Sequence, residues 1–139
     1  MLKIELLDWE AAQPEAMRIR FTVFVGEQAV PADLEIDDND AHCVHALAYA
    51  DGRAIGTGRL LPDGRIGRMA VLKDWRGQGA GRALLGRLID AARQRGHREV
   101  ALSAQVHALE FYRAEGFEPE GAVYEEAGIP HQEMRLRLV

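Results

Sequence analysis

Apolar and polar positions alternate along this chain in short blocks, and one block stands out as long and helical. Leu84, Leu85, Leu88, Ile89, Ala91 and Ala92 recur at three- and four-residue spacing and define one apolar helix face. Just ahead of it, Ile66, Met69 and Val71 fit a half-buried strand ending near Leu72. Earlier, Leu2 to Leu7 alternates around Lys3 and Glu5 as a first strand, and Pro14 suits the first turn of a helix. Met17, Phe21 and Phe24 are helically spaced, yet Phe21 to Val25 is rich in strand formers, so the pattern there supports either state, with Gly26 as its end. Ala29 to Asp40 shows no periodicity and reads as a loop. Val44 to Ala50 and Ala54 to Leu61, joined by Asp51-Gly52, predict a hairpin, and Pro62-Asp63-Gly64 turns the chain into the strand before the long helix. Gly96 stops that helix, and Val100, Leu102 and Ala104 mark another strand, Glu99 to Gln105, which the intervening helix makes parallel to the strand ending near Leu72. Ala108 to Arg113 is a short helical segment ending at Gly116. Val123 to Glu126 and His131 to Leu138 close the chain as strands around Gly128-Ile129-Pro130.

Between the central strand and the long helix lies Arg76-Gly77-Gln78-Gly79-Ala80-Gly81-Arg82. Side-chain-free positions let backbone approach a ligand closely, and the first amides of the following helix have no intrahelical acceptor. They point outward at the positive end of the helix dipole, where a phosphate would sit. A P-loop is excluded, because five residues after Gly77 stands Arg82 and no lysine follows any of these glycines at the required place. The dinucleotide fingerprint fails too, since the third glycine would have to fall at Arg82 or Leu84. What fits is Arg-x-x-Gly-x-Gly, with a strand before it and a helix after.

Charge sharpens this picture. The formal net charge is -5, but from Asp51 to Arg98 ten arginines and one lysine stand against four aspartates, while Glu27 to Asp40 holds six acids and no base. A basic stretch around a glycine loop suits a polyphosphate, and an acidic one suits a cationic amine or a solvated loop. The whole chain is acidic and its basic stretch holds a single aromatic, Trp75, so that stretch is no nucleic-acid footprint. At 139 residues the chain is expected to be one domain, 1–139. It has no run of eighteen apolar residues, no charged-then-apolar leader and one cysteine, Cys43; a cytoplasmic protein without a membrane partner is expected. His42-Cys43-Val44-His45 is too compressed to converge on a metal, and Cys43 with His45 lacks a third orienting group for nucleophilic catalysis.

The glycine motif resembles the pyrophosphate-binding motif of the GCN5-related N-acetyltransferase (GNAT) family. Gln105-x-x-Ala108-x-x-Phe111-Tyr112-x-x-x-Gly116-Phe117 is similar to that family's second signature, at the expected distance after the first. Arg20-x-x-Val23-Phe24-Val25-x-Glu27-Gln28, with Asp37, Asp40, His45 and Gly128-Ile129-Pro130-His131-x-x-Met134, resembles its ElaA-like or YjcF-like bacterial subgroup. The resemblance implies an α/β fold with a mixed, mostly antiparallel sheet of six or seven strands flanked by helices, splayed where the thioester of acetyl-CoA would lie. It implies that backbone groups of Met69, Ala70 and Val71 hold the pantetheine arm, that Arg76, Gly77, Gln78, Gly79, Ala80, Gly81 and Arg82 hold the pyrophosphate, that Phe111 borders the cofactor, and that a strand bulge aims an amide at the thioester carbonyl. The family often has asparagine where Gln105 stands, which leaves a cofactor contact there open. Many relatives pair as dimers, so a homodimer is among the expected states.

The chemistry follows from the groups. An alkylammonium, with a pKa of about 10, must lose a proton before it attacks a thioester, and the expelled thiolate must gain one. Tyr112 matches the family's general acid. For the base the candidates are Glu27, placed first, Glu125 and His131. The expected activity is transfer of the acetyl group of acetyl-CoA to a primary amine of a small molecule in a ternary complex, without a metal. The alternatives are a non-catalytic acyl-CoA-binding module and an acetyltransferase acting on a protein or peptide amine.

Overall fold

Leu2–Leu7 (β1), Val44–Ala50 (β2), Arg53–Leu60 (β3) and Ile66–Val71 (β4) form an antiparallel sheet in the order β1-β2-β3-β4. Glu99–Gln105 (β5), Glu118–Glu126 (β6) and Ile129–Arg137 (β7) form a second, ordered β5-β7-β6 and also antiparallel. These come from a computed structural model that describes residues 1–35 and 37–139. Among the described residues the two sheets meet at one parallel bridge, Arg65 to Ala101, which is all that forms there of the expected parallel pairing. The expected splayed arrangement of seven strands is therefore present.

The predicted amphipathic block is the helix Ala80–Gln94 (α3), and its apolar face is the centre of the core. Leu84, Leu85 and Leu88 are wholly buried among Ala46, Ala48, Ile55 and Leu60, and the cluster continues into Val100, Leu102 and Met134 of the second sheet. Each such leucine contributes about 2 kcal/mol of burial. Small residues on the strands let the helix come close: a Cβ on Gly56 would lie 3.0 Å from Leu84 Cδ1.

The opposite face is covered by the helix Trp9–Arg20 (α1), through Ala12 and Ala16 on Leu47, and Ile19 near Ala54 and Ala70. This helix starts earlier than Pro14 suggested, because the Asp8 side chain caps it by accepting from the Ala11 amide at 3.0 Å. Pro14 lies inside the helix on its exposed side, where the carbonyl left without a donor faces water. The ambiguous stretch after it is helical and wider: Phe21–Glu27 is a π-helical segment that runs through Gly26, with the Gln28 amide reaching back to Val23 O.

The expected loop Ala29 to Asp40 holds a helical turn, Ala32–Glu35 (α2), and a 3-10 turn begins at Asp40; Ile36 lies outside the described residues. The last hairpin is longer than its alternation suggested. It turns at Ala127 and Gly128, both at positive φ, so Ile129 and Pro130 belong to the strand. Among the described residues no helix is long and apolar enough to cross a membrane.

Candidate active site

Past the Arg65 to Ala101 bridge, β4 and β5 part and leave a wedge between the sheets. The edge it exposes on β4 is bulged. Thr57 pairs with Ala70 and Arg59 with Gly67, so Arg68 and Met69 together face Gly58. Arg68 adopts φ 50°, a left-handed conformation costing a non-glycine residue roughly 1–2 kcal/mol. Its side chain holds it there: Nη2 donates to Asp37 Oδ2 at 3.1 Å, and Nε lies 3.3 Å from Glu35 Oε1. A Cβ on Gly58 would fall 2.4 Å from Met69 Sδ, so the bulged methionine occupies the room glycine leaves.

Beyond β4, Gly77 (φ 77°) and Gly79 (φ 90°) carry the chain into α3, whose first amides open onto a cleft of about 440 Å³. Met69, Ala70, Val71, Arg76, Gly77, Gly79, Ala80, Gly81, Arg82, Phe111 and Tyr112 line it, joined by Trp75 and Ala108. Gln78 is not in the lining; its side chain turns back to Asp74 O at 3.4 Å. Phe111 and Tyr112 come from the short helix Leu109–Ala114 (α4). Gly81 admits Phe111, whose ring edge is 3.3 Å from where a Cβ would stand.

Tyr112 is 9% exposed, with its ring edge-on to Phe111 at 5.0 Å and to Phe117 at 5.8 Å. Burial pushes its phenol up to about 12, so it stays protonated throughout the neutral range. It is the one hydroxyl among the described lining residues, which include no thiol.

The expected base, Glu27, lies outside this lining. Both its carboxylate oxygens accept from Arg76 Nη2, at 2.8 and 3.1 Å, while Arg76 Nε donates to Val71 O at 2.8 Å. Arg82 pairs with Glu115 at 3.2 Å. Gln105 spends its amide on Gln28: each side chain donates to the other, at 2.8 and 3.1 Å, across the wedge. Glu125 is exposed on β6, and His131 is buried on β7.

The acidic run is largely neutralised from within. Arg20 binds Glu35 at 2.7 Å and Asp40 at 2.9 Å; Arg59 binds Asp37 at 2.9 Å and Asp40 at 2.8 Å. The Arg59 hydrogen bond holds Asp37 down to about 2. Glu35, Asp37 and Asp40 therefore form a brace for the β4 bulge and are not free to serve as the surface expected for a cationic substrate. Arginines at buried registers of α1 and β3 are the sequence signal for this network, since such positions otherwise take apolar residues. His45 and Cys43 belong to it as well. His45 Nε2 donates to Asp40 O at 2.8 Å, and burial lowers its pKa; Cys43 Sγ lies 3.2 Å from Asn39 O, and burial raises its thiol.

A family model described as "Acetyltransferase (GNAT) domain" matches residues 10–138. Among curated proteins, the uncharacterized N-acetyltransferase YjcF of Bacillus subtilis is 36% identical over 124 residues, covering 86% of this chain and 89% of its own. Among solved structures, an acyl-CoA N-acyltransferase from Pseudomonas aeruginosa matches with a TM-score of 0.86 and 32% identity, over 98% of this chain and 99% of that one. Escherichia coli ElaA matches with a TM-score of 0.88 and 29% identity, over 99% and 100%.

Proposed function

The chain belongs to the GNAT acetyltransferase family and is an acetyl-CoA-dependent acyltransferase, and from that premise we propose that it acetylates the primary amine of a small molecule by direct attack in a ternary complex. The observation that carries this reading is one cleft lined together by the glycine loop at the start of α3, the bulged edge of β4 and the buried Tyr112.

The residues present fit the cofactor. Free amides at the start of α3 and the arginines beside them suit a diphosphate. The outward edge of β4 from Met69 to Val71 suits an amide-bearing arm laid along it like another strand. The bulge at Arg68 and Met69 interrupts the regular ladder next to the place where the thioester carbonyl would rest, and an amide released there would stabilise the oxyanion of the tetrahedral intermediate.

Tyr112 serves as general acid. Its raised pKa makes it a reluctant donor in water, but the thiolate is expelled into the same apolar cleft, where desolvation raises the basicity of sulfur too. With no thiol in the lining to carry an acyl group, attack by the amine itself is the simpler route. The ion pair of Glu27 with Arg76 argues that Glu27 positions the loop arginine.

The test is a panel of amines assayed for thiol release from acetyl-CoA, followed by initial rates with both substrates varied. Intersecting double-reciprocal lines are expected. Parallel lines would replace the ternary complex by an acyl-enzyme, and activity confined to peptides would replace the small-molecule acceptor.

A further inference from the structure

The wedge has two sides, and the cofactor cleft accounts for one. On the other side the Gln28 to Gln105 amide pair crosses from the end of the π segment to β5. Gln105 is the register partner of His131 on β7, and His131 is the partner of Tyr124 on β6, so these three side chains share that face. The His131 ring is 7% exposed. Its Nδ1 lies 2.7 Å from Ile129 O, and because a carbonyl can only accept, Nδ1 carries the proton. In the neutral ring the lone pair is then on Nε2. The nearest charge to Nε2 is the Glu126 carboxylate at 3.6 Å, on a side chain 60% exposed. Tyr124 stacks on the ring at 6.1 Å and anchors its own hydroxyl to Ser103 Oγ on β5, which fixes the imidazole from outside.

Resting on the acyl-transfer reading above, we infer that His131 is the general base of the reaction and that Glu126 passes its proton to water. The ammonium gives a proton to Nε2, and the imidazolium so formed meets the Glu126 carboxylate. The freed nitrogen lone pair forms the C–N bond to the thioester carbon, and the C–S bond breaks. Tyr112 gives its proton to the thiolate and regains one from the acylated nitrogen. The products are an amide, a free thiol and one proton released through His131 and Glu126. Glu27 is poorly placed for this task, because Arg76 occupies both its oxygens.

The test compares two acceptors at pH 7: an alkylamine, which arrives as an ammonium, and O-methylhydroxylamine, which arrives neutral. His131→Asn keeps a donor for Ile129 O and removes Nε2. It should lower kcat with the alkylamine by about 100-fold or more, leave KM for acetyl-CoA unchanged, and stay within about threefold of wild type with the neutral acceptor. Added imidazole should restore part of the alkylamine rate. Equal losses on both acceptors, or an alkylamine rate within about threefold of wild type, would overturn the assignment. Should His131→Asn fail to bind acetyl-CoA, His131→Gln is read by the same comparison. A wild type that binds acetyl-CoA but releases no thiol with any amine would remove the acyl-transfer reading and this base with it. An active wild type with an equally active variant removes the base alone.

Discussion

Tyr112 shows how much of a residue's chemistry is set by its surroundings. Its ring sits edge-on between Phe111 and Phe117, and the apolar packing that orients it also raises its pKa to about 12. Tyr112→Phe should therefore cut turnover far more than acetyl-CoA affinity, measured as kcat against calorimetric Kd; an unaltered rate would pass the acid role to another group. The same substitution reads out in stability. The folded protein holds this proton more tightly than the unfolded chain, whose phenol titrates near 10, so wild type loses stability as the pH rises from about 10 to about 12. The phenylalanine variant should lack that component, on the order of 2 kcal/mol, in denaturant unfolding followed across the alkaline range. Tyr112 was legible in the sequence because its motif is local, with Phe111, Gly116 and Phe117 beside it. The pairing of Arg20, Arg59 and Arg68 with particular acids of the run was not, because partners 20 to 31 positions apart leave no periodic trace.

At the scale of elements, α3 and the strands around it were readable because each buries one face, and burial writes a period into the chain. The π segment Phe21–Glu27 was ambiguous for a physical reason: Thr22, Val23 and Val25 favour strands, and packing of Val23 beside Ile19 and Ala70 overrides that preference. The start of β6 carries no periodic signal, because its residues from Glu118 are mostly exposed and show no apolar alternation. The β4 bulge, which the family resemblance implies but no pattern of residues marks, has a consequence that can be measured. In Gly58→Ala the new methyl displaces the flexible Met69 side chain, and Met69 lines the cofactor cleft. The variant should lose acetyl-CoA affinity by about tenfold, measured by calorimetry, with a stability cost of only about 1–2 kcal/mol by denaturant unfolding. Equal affinity would show that Met69 can move without entering the cleft.

At the scale of the whole molecule, two sheets are joined along one edge, among the described residues at one backbone bridge, supported by an ion pair of Arg65 with Glu133 at 2.6 and 2.8 Å. A half-exposed bidentate pair of this kind is worth about 1 kcal/mol in stability. Because the pair ties the residue leading into β4 to β7, its loss is expected to change the angle of the wedge. Arg65→Met should therefore change the unfolding free energy by about 1 kcal/mol but weaken acetyl-CoA binding measurably, and Glu133→Gln should do the same. Unchanged binding in both would leave the angle to the backbone bridge and the shared core. The molecule also carries its own optical reporter. Of its two tryptophans, Trp75 lines the cofactor cleft, and Trp9 stacks against His45 and Arg20 beneath the opposite face. Occupancy by coenzyme A should quench or shift the emission of the first and leave the second silent, so that Trp9→Phe would turn the protein into a single-fluorophore sensor of its own saturation.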